Sequence, residues 1–171
     1  ACELVRRLKE RGAEVRVVMT PAAASFVSPL TLSVLSGGPV LSAMGDVSLW
    51  QMAHLDVADW ADVVLVAPAT ADFLSRIASG RCELLLDGLV LSTKAKVAVC
   101  PAMDAQMWEH PATQANVERV KSYGYQVWGP GHGALASGKT GMGRLLEQDD
   151  ILSRLETLLA SHGTRKAKSR S

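Results

Sequence analysis

Two short loops carry the residues best suited to chemistry. Ala67-Pro68-Ala69-Thr70-Ala71-Asp72-Phe73 and Pro101-Ala102-Met103-Asp104-Ala105-Gln106-Met107-Trp108 combine small residues, which let a ligand approach backbone amides, with a few polar or polarisable side chains. Thr70 can donate to phosphate or hydroxyl oxygens, and Asp104 accepts when ionised and donates only when protonated. Met103, Met107 and Trp108 can wall an apolar pocket or simply pack a core. His54 adds an imidazole, whose pKa near neutrality lets it take or return a proton at physiological pH. His110 stands directly before Pro111 as a helix-start residue, while His132 and His162 sit in flexible contexts. Cys2, Cys82 and Cys100 are odd in number, scattered and without a Cys-x-x-Cys pair, which offers neither a disulfide framework nor a zinc site, so no metal is expected.

Each loop closes a short apolar run, Val63 to Val66 and Val97 to Cys100, of the kind buried on both faces of a parallel sheet. Parallel strands deliver their C-terminal ends to one edge, where open α/β sheets bind ligands. Around them the chain reads as alternating helices and strands. Ala1, Leu4, Val5 and Leu8 share a helical face that Gly12 stops, ahead of a strand at Val15 to Met19. Thr20-Pro21 and Ser28-Pro29 each pair a cap with proline at the first helical position, predicting helices over Pro21 to Val27 and Pro29 to Leu35. Further helices are expected over Thr70 to Ala78 and Pro111 to Tyr123, a strand over Gln126 to Trp128, and a last helix marked by Ile151, Leu152, Leu155, Leu158 and Leu159. The fold class that follows is α/β: a Rossmann-like (flavodoxin-like) three-layer α/β/α sandwich with a parallel sheet. The glycine-rich segment from Gly129 to Arg144 reads as a lid or as a flexible connector.

At 171 residues, 48% hydrophobic and 20% charged, the chain suits one domain, residues 1–163, followed by a basic, disordered tail, 164–171. The net charge of +1 depends on Arg165, Lys166, Lys168 and Arg170; the remaining body holds 14 basic against 17 acidic side chains, which gives no electrostatic footprint for nucleic acid. No apolar run approaches the roughly 20 residues of a membrane span, and no signal-peptide pattern is present, so the expected location is the cytoplasm. No Gly-x-Ser-x-Gly elbow supports a hydrolase.

The two loops, together with Ala53-His54-Leu55 and Ala58-Asp59-Trp60-Ala61-Asp62, resemble the flavin-dependent cysteine decarboxylases in order and interval. That family includes phosphopantothenoylcysteine decarboxylase and the peptidyl-cysteine decarboxylases of lanthipeptide and thioamitide pathways, and the likeness runs from Ala1 to about Asp150. It implies bound FMN, because CO₂ cannot leave a cysteine carboxylate without an electron sink; oxidation at the sulfur-bearing carbon comes first and the product is an enethiol. It places Thr20, Phe26, Ala67, Pro68, Ala69, Thr70, Asp72, Thr93, Ala102 and Met103 at the flavin, with Met103, Asp104, Met107, Trp108 and Ser137 toward the substrate. His54 is the first catalytic candidate, able to take the thiol proton, and Asp104 is the second. Reading Thr20 and Thr70 as plain helix caps is compatible with this, since caps and anion sites use the same unpaired amides. Homotrimers, often stacked into dodecamers, are the implied assembly, with no nucleic-acid or membrane partner.

Four departures from the family pattern bear on function. The family has asparagine where Asp104 stands, so Asp104 points elsewhere, carries a raised pKa, or reports a changed substrate or lost activity. Ser137 occupies the place of a cysteine that returns electrons to the product in pantothenoylcysteine decarboxylases, and Glu83 stands where many relatives have asparagine. The chain also begins inside a helix, without the strand and glycine-rich turn that family members place ahead of it, which is read as truncation. Ser137 points to oxidative decarboxylation of a C-terminal peptidyl cysteine to an aminoenethiol. The alternatives are a phosphopantothenoylcysteine decarboxylase of coenzyme A biosynthesis, which residues 1–40 resemble, or a non-catalytic flavin-binding subunit.

Overall fold

The computed structural model describes residues 1–42 and 55–168. Its elements are α1 (Cys2–Glu10), β1 (Val17–Met19), α2 (Pro21–Ala24), α3 (Pro29–Ser36), β2 (Val40–Ser42), α4 (55–60), β3 (Val63–Ala69), α5 (Ala71–Ala78), α6 (Leu85–Ser92), β4 (Lys96–Pro101), α7 (Ala105–Glu109), α8 (Pro111–Ser122), β5 (Gln126–Val127), β6 (Gly131–Ala134), β7 (Thr140–Arg144) and α9 (Gln148–Lys168). Contacts group the chain into two units, Ala1–Ala61 with Arg81–Lys94 and Asp62–Gly80 with Ala95–Ser171. The α/β class with parallel strands is as the sequence predicts.

In the first unit, β1 and β2 run parallel, Val17 opposite Val40 and Met19 opposite Ser42. Cap chemistry sets the helix starts. Thr20 Oγ1 accepts the Ala23 amide at 3.3 Å ahead of Pro21, and Ser28 Oγ accepts the Leu30 amide at 3.2 Å ahead of Pro29. Helix α1 packs on α3 with Leu4 and Leu32 buried. Helix α6 was not foreseen. Its N-cap, Leu84, cannot cap, and the fully buried Asp87 does so from inside the first turn, accepting the amides of Glu83 at 3.2 Å and Leu84 at 3.0 Å. The Arg16 guanidinium lies 4.2 Å from the centre of the Trp60 ring, a cation–π contact.

In the second unit, β3, β4 and β5 form a parallel sheet in that order, Val63 opposite Lys96 and Ala98 opposite Gln126. Among the described residues β1 is paired with β2 alone and β3 with β4 alone. Val64, Val66, Val97 and Val99 are buried, as strands covered on both faces require. Helices α5 and α8 pack together, and Leu74, Ile77, Val117, Val120, Ile151 and Leu152 are at most 2% exposed. Each such side chain contributes about 1.5–3 kcal/mol by leaving water. Helix α8 starts where His110 Nδ1 accepts the Ala112 amide at 3.1 Å before Pro111, so this histidine is a cap.

The glycine-rich segment is an ordered antiparallel hairpin, with Gly131 opposite Arg144 and Ala134 opposite Thr140. Helix α9 runs to Lys168, further than expected, through part of the basic tail; Arg165, Lys166, Ala167 and Lys168 are strong helix formers. Among the described residues no helix is long and apolar enough to cross a membrane.

Candidate active site

The two small-residue loops meet as their strands require. Strand β3 runs on past the apolar run through Ala67-Pro68-Ala69, Ala69 stands opposite Pro101 of β4, and the Ala102 amide donates to the Ala69 carbonyl at 3.0 Å. The Ala67–Pro68 peptide is cis. Thr70 then turns the chain into α5, its hydroxyl accepting the Phe73 amide at 3.2 Å. The amides of 71 and 72 have no intrahelical acceptor, as at any helix start. Asp72 is exposed and forms an ion pair with the nearly buried Arg76 one turn on. Ala69 is fully buried, whereas Pro68 and Thr70 are exposed. Small side chains, a helix start and a hydroxyl side by side suit a phosphate-bearing ring cofactor, whose anion would complement those amides.

The second loop is fixed from both sides. Asp104 caps α7: its Oδ1 accepts the Gln106 amide at 3.0 Å, and its carbonyl accepts the Trp108 amide at 3.0 Å. Its Oδ2 accepts the Ser137 hydroxyl at 2.8 Å, from the turn between β6 and β7. The Ser137 hydroxyl first, then the Gln106 amide and the charge of Lys139, hold the Asp104 carboxyl below the usual carboxylate range. A raised pKa, one of the alternatives for this aspartate, is therefore corrected: donors outweigh desolvation at this half-exposed group.

The hairpin presses on the same loop through its backbone. The Met103 amide donates to the Gly143 carbonyl at 2.9 Å, and a Cβ on Gly143, whose φ is +155°, would stand 2.1 Å from the Met103 carbonyl oxygen. Only glycine fits there. Met103 and Trp108 are half-buried and Met107 is 50% exposed. Gln114 of α8 donates to the Trp108 carbonyl. Sequence reasoning missed the Met103–Gly143 seam, for which the alternate glycines at 141 and 143 were the available signal.

Thr20, Phe26 and Thr93 belong to the first unit. Thr20 caps α2, Phe26 is 87% exposed, and Thr93 donates to the Ala58 carbonyl at 2.9 Å. Both hydroxyls therefore have a structural use. His54 lies outside the described residues. Cys100 is fully buried, and loss of solvent pushes its thiol up to about 12, so it is inert.

Comparison with known proteins accounts for this arrangement. A family model described as Flavoprotein matches residues 1–160. The coenzyme A biosynthesis bifunctional proteins CoaBC of Vibrio vulnificus and Escherichia coli K12 are 48% and 47% identical over 155 and 146 residues, covering 90% and 85% of this chain. The chain spans only 39% and 36% of their lengths. Among solved structures, a PPC decarboxylase cysteine-to-serine mutant complexed with pantothenoylaminoethenethiol matches with a TM-score of 0.74 and 26% identity, covering 90% of this chain and 87% of that one. The FMN-dependent cysteine decarboxylase SpaF matches with a TM-score of 0.77 and 26% identity, covering 95% and 88%. These likenesses make the α/β fold Rossmann-like, and with the family model matched over nearly the whole length, the chain belongs to the Flavoprotein family.

Proposed function

We propose that this chain is an FMN-dependent decarboxylase of a cysteine carboxylate and that its substrate is phosphopantothenoylcysteine. The observation that carries the reading is the junction of the two loops at the ends of β3 and β4, tied by the Ala102–Ala69 hydrogen bond, which gives a small-residue cradle beside a loop of graded polarity. The sequence relatives favour phosphopantothenoylcysteine over a peptide, since CoaBC proteins of coenzyme A biosynthesis are 48% and 47% identical to this chain.

FMN, when bound, supplies a sink for the two electrons that leave with oxidation of the sulfur-bearing carbon. Ala67, Pro68, Ala69, Thr70 and Asp72 would hold it, the amides at the start of α5 and the Thr70 hydroxyl meeting its phosphate or ribityl oxygens, with Ala102 and Met103 beside it. His54 would take the thiol proton, making the sulfur electron-rich as oxidation proceeds. Met103, Met107 and Trp108 would exclude water from the departing carboxylate, with Asp104 and Ser137 at the edge of the substrate site. Leu30 and Val34, one turn apart on α3 and 71% and 72% exposed, and Phe26, 87% exposed in the turn before it, are apolar surface that assembly into trimers would cover.

A second reading, peptidyl-cysteine decarboxylation, is favoured by Ser137. A hydroxyl is a far weaker proton donor than a thiol, so return of electrons to an enethiol is disfavoured and release of the enethiol is favoured. Mass spectrometry separates the two. FMN-loaded protein is given phosphopantothenoylcysteine or a cysteine-terminated peptide. The proposal expects the former to be consumed with loss of CO₂ alone, or of CO₂ and two hydrogens if Ser137 cannot support reduction. Consumption of the peptide alone overturns the substrate assignment, and no change in either overturns the activity.

A further inference from the structure

Two of the family departures touch each other. Ser137 and Asp104, 33 positions apart, are joined at 2.8 Å, and each of the aspartate's oxygens has a donor, Ser137 for one and the Gln106 amide for the other. The contact lies on a seam that is closed at three consecutive positions. Gly143 receives the Met103 amide, Ser137 reaches Asp104, and a Cβ on Gly141 would come 2.9 Å from that of Ala105. The turn that presents Ser137 is itself fixed, with the Leu135 amide on the Lys139 carbonyl at 2.8 Å and the Gly138 amide on the Leu135 carbonyl at 3.0 Å.

We propose that Ser137 is a positioning residue acting through Asp104: the hydroxyl–carboxylate clasp anchors the β6–β7 hairpin on the substrate loop and makes Asp104 an anchor of that hairpin, with the substrate carboxylate met by other donors. An ionised aspartate has no proton to offer a second carboxylate, and a like charge beside it raises the free energy of both. Asparagine in the same place offers a donor; aspartate with a serine partner offers a latch. The serine is thus the complement of the aspartate, and the two departures form a single change. This role rests on the decarboxylase reading only for its effect on turnover; the clasp itself is a property of the folded chain.

The test measures amide hydrogen exchange of hairpin peptides spanning residues 131–144 in the FMN-loaded protein, alongside kcat and KM on phosphopantothenoylcysteine. Ser137→Ala and Asp104→Ala should each speed hairpin exchange about fivefold, the equivalent of one net hydrogen bond. The double variant should exchange no faster than the faster single, and Ser137→Thr should restore protection. KM should rise in the same non-additive pattern, more than kcat falls. Asp104→Asn, which keeps a partner for Ser137 but removes the charge, should keep hairpin protection and should not lower KM. Parent-like exchange in Ser137→Ala, or effects that multiply in the double variant, would overturn the clasp. A KM lowered about tenfold or more in Asp104→Asn would show the substrate carboxylate facing position 104 and overturn the anchoring role. Absence of turnover in every variant would count against the decarboxylase reading, while the exchange data still decide the clasp.

Discussion

Asp104 shows how one side chain changes the chemistry a loop can perform. Its carboxyl is held ionised by the Ser137 hydroxyl and the Gln106 amide, and it does so while capping α7, so its negative charge is a fixed feature of the loop at neutral pH. The sign follows from the lowered pKa: what the ionised form contributes is present above the ordinary carboxylate range and is lost only as pH falls through the lowered value. Cys100 has the opposite setting. Its thiol is pushed from 9.0 up to about 12 by burial, so the neutral form is favoured, and the stability this contributes is present below pH 9.0 and lost as pH rises toward about 12. Cys82 is exposed. Alkylation of the native protein at about pH 8, read by peptide mass spectrometry, should therefore modify Cys82 and spare Cys100. Comparable modification of both would contradict the burial of β4.

The elements that position these residues were legible where side chains act locally. Thr20, Ser28, Thr70 and His110 each cap a helix, and their caps are readable because the acceptor, the proline or the first apolar turn lies within a few residues. Helix α6 was hidden because its cap comes from Asp87 inside the helix and its run of Leu85, Leu86, Leu89, Val90 and Leu91 leaves no polar face to mark a helical period. The hairpin β6–β7 was hidden because glycines at 131, 133, 141 and 143 carry no strand propensity; its register comes from backbone approach to Met103 and Ala105, a tertiary cause. Strand β2, three residues long, has no period to detect, and α7, five residues long, is too short to show a helical one. A cap that also begins the helix proposed to meet FMN has a measurable weight. Thr70→Ala should cost about 1 kcal/mol in chemical denaturation and should weaken FMN binding, whereas Thr70→Ser should retain both. A Thr70→Ala protein with unchanged stability and FMN affinity would remove Thr70 from the site.

For the molecule as a whole, the candidate site is built from loops at the C-terminal ends of parallel strands, the edge at which open α/β sheets bind ligands. The loops were visible in the sequence because small residues, proline and a helix cap follow each buried strand. Ser137 was read only as a replacement for cysteine, and its contact with Asp104 was not visible in the sequence, since the two stand 33 positions apart. The most direct test of the central claim is release of labelled CO₂ from phosphopantothenoylcysteine labelled at the cysteine carboxyl, by protein carrying FMN. The account predicts labelled CO₂ in amounts that exceed the protein present under turnover conditions, and its loss in His54→Asn. No labelled CO₂ from FMN-loaded parent protein, with either this substrate or a labelled cysteine-terminated peptide, would contradict it.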